Sequence, residues 1–448
     1  MPTVQHRHMT KPQWAQLNPI LSEAEIGLEI GIDGTPDRFK IGNGVSTWNE
    51  LLYFLSEADI NIDVNRLSEE TLDSRYSKVF GGATLASMGD SLTAGNSDID
   101  GPYVAYRYSW ANMGVLLSGS RLRYIGDAAT GGYDIQQIRA EHLPKILEKH
   151  PTYCTVLAGQ NSLTGFDQQD INDLMAIYTS LMNAGITPIL VSNPPISVST
   201  EHFRLNNFVA AFAQAKGVPY FDMGAVLINP ETGLYKSGMS ADNVHPQTPL
   251  ACAALSKAFG SFLTSMLPQR VQSPAYLLPQ SKKDGEVFNP LLAPYSTNPS
   301  YPDLWVPTIN FTASLTDTTV GKKFRMTKVA ANRAQANGPM HVLTPGTEHF
   351  VSFRMEATVE AMNGEWTFSL LDLANGYAPI VAFQSQPVDV APDTIVSVKF
   401  RVPSTGTSAP DLGKVLPVIQ LHGSGQAEGG ALNATMAISQ FRIRPSEV

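Results

Sequence analysis

The stretch that decides the fold is residues 83–92, which read Ala83-Thr84-Leu85-Ala86-Ser87-Met88-Gly89-Asp90-Ser91-Leu92. Residues 83–89 are mostly apolar and end at a glycine, which is typical of a buried strand followed by a tight turn. A serine at that corner presents its hydroxyl above the end of the strand. The stretch therefore predicts a strand that carries a functional side chain at its carboxyl end.

The segment that follows alternates short apolar runs with helical stretches up to about residue 268. Further strands are predicted at Leu122–Ile125, Tyr153–Ala158, Pro188–Val191 and Val218–Phe221. The helical stretches are Pro102–Leu117, Ile135–Lys149, Ile171–Asn183 and His202–Lys216. Strands separated by helices of this length predict a parallel sheet covered on both faces, with the functional site beyond the carboxyl ends of the strands. We therefore expect an α/β domain over residues 82–268.

The chain has a different pattern on either side of this domain. Residues 1–58 contain short strands with glycine turns and predict a small β-rich module. Residues 59–81 are polar and fit a linker or a short helix, while residues 269–303, rich in Pro, Ser and Asn, fit a linker. Residues 304–448 predict an antiparallel β-sandwich or jelly roll, because apolar and polar residues alternate at His349–Glu360, Trp366–Leu371, Thr394–Val402 and Ala434–Arg444.

Composition restricts the function. The formal net charge is −9 over 448 residues, which disfavours nucleic-acid binding because that requires a basic surface. No continuous apolar run reaches about 18 residues, and the N-terminus lacks an apolar signal region, so we expect neither membrane insertion nor a secretory signal. Cys154 and Cys252 are too few for a disulfide framework or a Cys-based zinc site, and we expect both in the core.

Ser91 is the candidate nucleophile, and it needs a base because a serine hydroxyl alone reacts poorly. The candidate base is His245, in Asp242-Asn243-Val244-His245-Pro246, just before the last helix of the α/β segment. An aspartate three residues before a histidine can accept the Nδ1 proton and hold the ring so that Nε2 faces the serine. The alternative interpretation is a helix N-cap aspartate beside an ordinary surface histidine.

Acyl transfer also needs hydrogen-bond donors for the oxyanion, and two other strand ends offer candidates. Asn161, in Gly159-Gln160-Asn161-Ser162, follows the third strand, so its side-chain amide is expected at the same rim. Gly132 ends the segment 127–132 after the second strand and offers a backbone N–H, with Gly131 as the alternative because the register is ambiguous by one. Each glycine taken alone is more often only part of a turn.

These signals, in this order, resemble the SGNH (GDSL-type) hydrolase family over about residues 82–268. Residues 89–92 resemble its first block, Gly132 and Asn161 its second and third blocks, and Asp242 with His245 its last block. The resemblance implies a three-layer α/β/α, flavodoxin-like fold and a serine esterase that needs neither metal nor cofactor. The catalytic residues would be Ser91, Asp242 and His245, and the oxyanion hole would be formed by Ser91, Gly132 and Asn161.

One position departs from the family pattern. The third block usually reads Gly-x-Asn-Asp, but Ser162 stands in place of the aspartate. We expect activity to survive, because Asn161 is the donor. The change bears instead on the support of that loop and on the transfer of substrate preference.

Residues 1–58 resemble a phage tail-fibre N-terminal module. The matching residues are Trp14, Asn18-Pro19-Ile20-Leu21, Glu25-Ile26-Gly27, Phe39-Lys40-Ile41-Gly42-Asn43-Gly44, Trp48 and Leu51. The resemblance implies attachment to other phage tail proteins, a location in the virion tail and a homotrimer. Self-association also fits a module this short, which buries little surface by itself. The alternative is a generic β-rich cap of no special lineage.

Several other residues are weaker candidates. Tyr133 and Pro195 lie just past strand ends and are expected to line the substrate pocket. Trp305 and Trp366 could stack on sugar rings, but core packing is the commoner fate of a single tryptophan in a strand and is favoured. His202 begins a predicted helix and is expected on a solvated face.

The leading hypothesis is a tail-fibre or tailspike serine esterase that removes O-acetyl groups from a bacterial surface polysaccharide such as capsule, O-antigen or exopolysaccharide. The C-terminal β domain would then hold glycan. A non-catalytic receptor-binding fibre with a hydrolase-like scaffold is the alternative, and a lipase or thioesterase with unrelated appendages is a third interpretation.

Overall fold

The computed structural model describes residues 7–22, 25–31, 38–41, 44–51, 53–54, 83–162, 165–194, 200–267, 294–295, 298–302, 306–309, 311–318, 321–328, 333–359, 364–423 and 434–445. The chain divides into two units, residues 1–72 and 73–448. The segment 59–81, expected to be a linker or a short helix, lies outside the described residues.

The first unit is built on a small sheet in the order β1-β2-β3-β4. Its strands are β1 Arg7–Thr10, β2 Ile26–Ile30, β3 Arg38–Ile41 and β4 Tyr53–Phe54. Helix α1, Lys11–Leu17, follows β1 directly. Strands β1 and β2 pair in parallel, whereas β3 pairs antiparallel with both β2 and β4.

Residues of the tail-fibre-like motif make a small core in this unit. The rings of Trp14 and Trp48 stack with centroids 3.9 Å apart, and Leu21 packs with them. A Cβ atom at Gly27 would lie 2.5 Å from the Trp48 ring, so only glycine allows this approach. Lys40 Nζ donates a hydrogen bond to the Trp48 carbonyl at 2.7 Å. Residues far apart in the sequence motif therefore meet at one tryptophan pair.

The second unit contains a parallel sheet in the order β10-β9-β8-β5-β7. Its strands are β5 Thr84–Gly89, β7 Arg123–Ala129, β8 Tyr153–Leu157, β9 Thr187–Val191 and β10 Tyr220–Phe221. Because β5 lies between β7 and β8, the turn that follows β5 is flanked by the loops that follow both neighbours. The prediction of a parallel sheet is confirmed. Strand β7 is longer than expected, since it continues through Asp127 to Ala129.

Helices pack against this sheet. They are α2 Trp110–Leu117, α3 Ile135–Gln137, α4 Leu143–Lys149, α5 Gln168–Asn183, α6 Thr200–Lys216, α7 Met223–Leu227 and α8 Pro249–Met266, with a π-helical turn, Ile138–His142, between α3 and α4. Alternate residues of β5 enter two clusters: Leu85 packs with residues of α2 and α8, while Ala86 and Met88 pack with residues of α5 and α6. Successive strand residues point to opposite faces, so both faces of the sheet are covered.

The rest of the second unit is rich in β-structure. One sheet has the order β14-β15-β23-β18-β21, and the other has the order β13-β16-β22-β19-β20, with β17 beside β22. The strands are β13 Val306–Ile309, β14 Phe311–Thr318, β15 Gly321–Lys328, β16 Ala334–Asn337, β17 His341–Val342, β18 Glu348–Thr358, β19 Gly364–Asp372, β20 Ala378–Gln386, β21 Val390–Arg401, β22 Lys414–Gly423 and β23 Thr435–Pro445. Pairing within this region is antiparallel, as expected.

One hydrophobic cluster contains residues of both sheets. Phe353 of β18 and Phe368 of β19 lie with ring centroids 4.4 Å apart, so the sheets pack face to face. Trp366 is fully buried in this cluster and donates its Nε1–H to the Val388 carbonyl at 2.8 Å, so core packing is confirmed over sugar stacking. Trp305 lies outside the described residues.

The predicted helix Pro102–Leu117 is wrong in its first half. Residues Tyr103–Ala105 form a strand, β6, that pairs in parallel with β20 of the β-rich region, and the helix begins only at Trp110. Sequence periodicity could not reveal this, because the backbone hydrogen bonds of β6 go to a strand that lies more than two hundred residues away in the chain. The α/β and β-rich regions therefore share a sheet.

Other expectations have mixed outcomes. Within the predicted linker at 269–303, the described residues include two short antiparallel strands, β11 Pro294–Tyr295 and β12 Asn298–Pro302. Cys154 and Cys252 are free and buried, as expected. Among the described helices, none is long and apolar enough to cross a membrane.

Candidate active site

The turn after β5 is shaped by two residues that precede Ser91. A Cβ atom at Gly89 would lie 2.3 Å from Thr93 Oγ1 and 2.4 Å from the Leu157 carbonyl, so the chain can turn here only with glycine. Asp90 Oδ1 accepts the Leu92 N–H at 3.0 Å, and the Asp90 carbonyl accepts the N–H groups of Thr93 and Ala94. These bonds close a tight turn that holds Ser91 at the end of the strand.

A second turn, just before α8, carries the histidine. Asp242 Oδ1 accepts the backbone N–H groups of Val244 and His245 at 2.9 and 2.7 Å, and Asn243 has the left-handed φ of 60° that this turn requires. The Tyr235 hydroxyl donates to the Val244 carbonyl at 2.8 Å. This turn is more exposed than the Ser91 turn, since 53% of the Asp242 side chain is accessible.

The two turns bring three side chains into one hydrogen-bonded chain. Ser91 Oγ lies 2.9 Å from His245 Nε2, and His245 Nδ1 lies 2.7 Å from Asp242 Oδ2. With the proton on Nδ1, the carboxylate fixes the ring and leaves the Nε2 lone pair facing the serine hydroxyl. Residues 91 and 245, predicted separately from the sequence, are thus in direct contact.

The two aspartates at this site differ in their electrostatics. Hydrogen bonds from the His245 backbone N–H and then from the His245 ring hold the pKa of Asp242 well below its usual value. Asp90, by contrast, is fully buried, and loss of solvation raises its pKa to about 6 against hydrogen bonding from Leu92 and the charge of His245. Asp242 therefore remains ionised over the whole range in which a histidine titrates.

The predicted oxyanion donors lie on loops beside Ser91. A Cβ atom at Gly131 would lie 3.7 Å from the Ser91 Cβ, whereas one at Gly132, whose φ is 84°, would meet no atom within 4 Å. Asn161 Nδ2 donates to the Tyr133 carbonyl at 2.8 Å and so ties the loop after β8 to the loop after β7. An amide nitrogen has two hydrogens, so one Asn161 N–H remains to be offered to a substrate oxygen.

Of the two predicted pocket residues, Tyr133 is engaged with the π-helical turn. Its hydroxyl donates to Glu141 Oε2 at 2.6 Å, and its ring stacks on His142 with centroids 5.1 Å apart. Pro195 lies outside the described residues.

Ser162, which stands where the family pattern has an aspartate, contacts its surroundings through its hydroxyl and its backbone N–H. Its Oγ accepts the Ile135 N–H at 3.4 Å, at the first residue of α3. The Ser162 N–H donates to the Gly159 carbonyl at 3.1 Å, which closes the short turn that presents Asn161.

Two functional features were missed in the sequence. The sequence pattern assigns no separate role to Asp90, although its position directly after the apolar stretch 83–89 is compatible with burial. His202 was expected on a solvated face and this is wrong: it is 3% exposed, and its Nε2 lies 2.9 Å from Asn206 Nδ2 within α6. Asn206 in turn bonds the backbone of Asn193, just after β9, so these residues support the sheet end.

A cleft of about 710 Å³ lies elsewhere, between the α/β and β-rich regions. It is lined by residues 123–125, at the beginning of β7, and by residues from β18, β20 and β21. Ser91 follows the carboxyl end of β5, whereas the cleft lies toward the amino ends of the parallel strands. Some of its charged groups are paired with each other, as in the 2.6 Å contact of Lys399 Nζ with Glu348 Oε2.

A parallel α/β sheet with a serine, a histidine and an aspartate in contact at its carboxyl edge is an arrangement suited to acyl transfer. Residues 87–249 match the GDSL-like Lipase/Acylhydrolase family. The match supports a GDSL-type lipase/acylhydrolase domain over these residues, and with it a hydrolase.

Solved structures similar to the chain include an acetylxylan esterase from Geobacillus stearothermophilus, with 15% identity, 42% of this chain and 96% of that chain covered, and a TM-score of 0.35. A GDSL-like lipase from Bacteroides thetaiotaomicron has 14% identity, covers 45% of this chain and 97% of that one, and has a TM-score of 0.33. No match was found among curated proteins.

Proposed function

We propose that this chain is a serine esterase that removes O-acetyl groups from bacterial surface polysaccharide as part of a phage tail fibre or tailspike. The observation that carries the chemical part is the contact of Ser91 Oγ with His245 Nε2 at 2.9 Å, continued to Asp242 at 2.7 Å. A nucleophile, a base and the carboxylate that orients the base are then in place before substrate binds.

In the first half of the reaction, Ser91 Oγ attacks the ester carbonyl carbon while its proton passes to His245 Nε2. The carbonyl oxygen becomes an oxyanion, stabilised by the Ser91 N–H, the Gly132 N–H and the free Asn161 N–H. The bond to the leaving alcohol then breaks. That alcohol takes the proton from Nε2, and an acetyl-serine remains.

In the second half, water attacks the acetyl-serine and gives a proton to the same Nε2. The tetrahedral intermediate collapses, Ser91 Oγ recovers the proton from His245, and acetate leaves. Asp242 stays ionised and stabilises the imidazolium in both halves. The net reaction consumes one water for each ester and releases one alcohol and one acetate.

The virion part of the proposal is supported by the first unit. The Trp14–Trp48 stack, the Gly27 contact and the Lys40 bond place several residues of the tail-fibre-like motif in one core. Among the residues that the structure describes in this unit, Trp14, Leu21 and Trp48 form the apolar core, and a module of this length is small for independent folding. We propose that association into a homotrimer stabilises it. Sedimentation of the whole chain as a monomer would overturn this part.

The fold assignments that go with this function are also proposals. The strands lie in the sheet in the order β7-β5-β8-β9-β10. When these five strands are numbered by their order in the chain, the sheet order is 2-1-3-4-5, which supports a flavodoxin-like arrangement. The shared core of the two antiparallel sheets supports a β-sandwich in the C-terminal region. The cleft between the regions supports a glycan-holding role for that region, because it combines carboxylates, the amide of Asn375 and the ammonium group of Lys399 at one opening.

The test is acetate release from a panel of purified bacterial capsules, O-antigens and exopolysaccharides, with the Ser91→Ala chain as the control. We expect release from at least one polysaccharide, with a loss of at least about 10⁴-fold in kcat for the variant, since serine proteases lose about this much or more when the nucleophile is removed. Circular dichroism should show an unchanged fold.

Each result distinguishes the interpretations. Polysaccharide binding without Ser91-dependent release would favour a receptor-binding fibre with a hydrolase-like scaffold. Preference for long acyl chains over acetyl would favour a lipase or thioesterase. Undiminished hydrolysis by Ser91→Ala would overturn the assignment of the nucleophile.

A further inference from the structure

Tyr106 is an exposed aromatic residue at the junction between β6 and α2. The residue is 54% exposed, although it lies in a segment otherwise packed into the protein. Buried neighbours surround it in the sequence: Ala105 is fully buried, and so are Ser109 and Ala111. A single exposed aromatic is common on protein surfaces, so its position relative to Ser91 has to decide whether it matters.

The backbone of Tyr106 is tied to the turn that carries Ser91. Its N–H donates to the Gly95 carbonyl at 2.9 Å, and Gly95 follows directly on Ala94, whose N–H bonds the Asp90 carbonyl. A Cβ atom at Gly95 would lie 3.7 Å from the Tyr106 Cβ and 3.9 Å from its Cδ2. The edge of the ring therefore lies beside Gly95, one short turn away from the nucleophile.

The same segment is tied to the element that follows His245. Cys252 Sγ, in the first turn of α8, lies 3.4 Å from the carbonyl of Arg107, the residue after Tyr106. The turn that carries His245 runs directly into this helix. The backbone of Tyr106 and Arg107 therefore contacts both the turn that follows Ser91 and the helix that follows His245.

The β-rich region provides the third support. Gln386 Nε2, at the end of β20, donates to the carbonyls of Ala105 and Tyr106 at 3.1 and 3.0 Å. Arg107 forms an ion pair with Glu365 of β19, whose side chain is 4% exposed. These contacts hold the backbone of Tyr106 from three directions, so this segment need not become ordered when the ring contacts a ligand.

We propose that Tyr106 is a specificity-determining residue that stacks on a pyranose ring of the saccharide whose ester is cleaved at Ser91. This inference rests on the proposed function, because it assigns a subsite to the same reaction. The flat face of a sugar ring presents C–H groups to an aromatic ring, and the phenol edge can bond a sugar hydroxyl. The β-rich region then contributes to substrate recognition, because Gln386 holds the backbone from which this ring extends.

The experiment compares two acetate esters that differ in whether they contain a sugar ring. Glucose pentaacetate has a pyranose ring and triacetin has none, and both release acetate. For Tyr106→Ala, we expect the ratio of kcat/KM on glucose pentaacetate to that on triacetin to fall about fivefold, mainly through a higher KM for the sugar ester. Tyr106→Phe should keep most of the ratio, because it keeps the ring.

Tyr377→Ala is the matched control. Tyr377 is 58% exposed, but it lies in the turn between β19 and β20 of the β-rich region, and its removal should leave the ratio unchanged. An unchanged ratio in Tyr106→Ala, or an equal fall in Tyr377→Ala, would overturn the inference. If the unaltered protein cleaves neither ester in a Ser91-dependent way, the proposed function itself fails, so the two failures are distinguishable.

Discussion

Two turns at the rim of the sheet each carry an aspartate, one beside Ser91 and one hydrogen-bonded to His245, and they are built in opposite ways. The turn at residues 89–92 is inside the protein: Asp90 is fully buried, and its carboxylate accepts the Leu92 N–H. The turn at residues 242–245 is on the surface, and Asp242 accepts hydrogen bonds from the backbone N–H groups of Val244 and His245 and from the Ser240 hydroxyl. Burial in one case and hydrogen bonding in the other move the two carboxyl pKa values apart.

The difference shows how one site can use two carboxylates for different purposes. Asp242 needs a permanent charge, because it must orient His245 and stabilise its protonated form. Asp90 is required for the shape of the turn that presents Ser91. Its negative charge is unfavourable in this buried position and has no role in the reaction. We therefore expect catalysis to depend on the charge of Asp242 but only on the hydrogen-bonding geometry of Asp90.

Of the two aspartates, Asp242 has the larger expected effect. In Asp242→Asn, the amide Oδ1 can still accept the turn N–H groups, but the NH₂ group then faces His245 Nδ1 and favours the wrong tautomer. We expect kcat to fall about 10³-fold on triacetin, somewhat less than for a fully buried triad aspartate because Asp242 is half exposed. Steady-state rates of acetate release measure this directly.

Asp90→Asn is the matched comparison for that prediction. Asparagine keeps a carbonyl oxygen that can accept the Leu92 N–H, so the turn is preserved, and no bond to the histidine is lost. We expect kcat to change by less than about tenfold. Equal losses of kcat in the two variants would contradict this difference, because they would mean that both carboxylates stabilise or orient His245 directly.

These two turns also show how far the sequence could reach. Ser91, Asp242 and His245 were identified because each belongs to a short local pattern: a glycine-limited turn, and an aspartate three residues before a histidine. Local spacing encodes a turn, so the residues that a turn presents can be predicted. Which of Gly131 and Gly132 faces the serine could not be fixed in that way, since it depends on how a loop packs against another strand.

The limits appear where the structure depends on distant partners. Tyr103–Ala105 was assigned to a helix because nothing nearby indicates that β20 would pair with it. His202 was placed in solvent because its burial depends on Asn206 and on the end of β9. The strands of the C-terminal region could be predicted because apolar and polar residues alternate along them. This alternation depends on which face of a strand is buried in the core and not on the strand with which it pairs.

The second prediction concerns stability and pH. The pKa of Asp90 is raised from 3.8 to about 6 in the folded protein, so the folded state holds this proton more tightly than the unfolded chain. The resulting stabilisation is fully present below about pH 4 and is lost as the pH rises through about 6. Over that interval the free energy of unfolding should fall by up to about 3 kcal/mol through this group.

Urea unfolding of the unaltered protein and of Asp90→Asn at pH 4, 5, 6 and 7 isolates this contribution. As the pH rises to about 6, the unaltered protein should lose stability relative to Asp90→Asn. Above about pH 6, the difference between their free energies of unfolding should stay constant. Asp127→Asn is the control, because burial raises the pKa of Asp127 to about 7, so its interval begins at the same pH but extends to about pH 7. A difference for Asp90→Asn that does not vary with pH would contradict the buried, titrating carboxyl.

The smallest effect is expected at Ser162, the position that departs from the family pattern. Its Oγ accepts the Ile135 N–H at 3.4 Å, a long bond, while its backbone N–H already closes the turn onto Gly159. Ser162→Ala should therefore lower the free energy of unfolding by about 0.5–1 kcal/mol and change kcat by less than about threefold. Asn161→Ala, one residue earlier, should reduce kcat about 10²-fold, because it removes an oxyanion donor rather than a supporting contact. If Ser162→Ala lowered kcat as far as Asn161→Ala, the serine would be holding the donor in place, and the loop would depend on the side chain at this position as much as on its backbone.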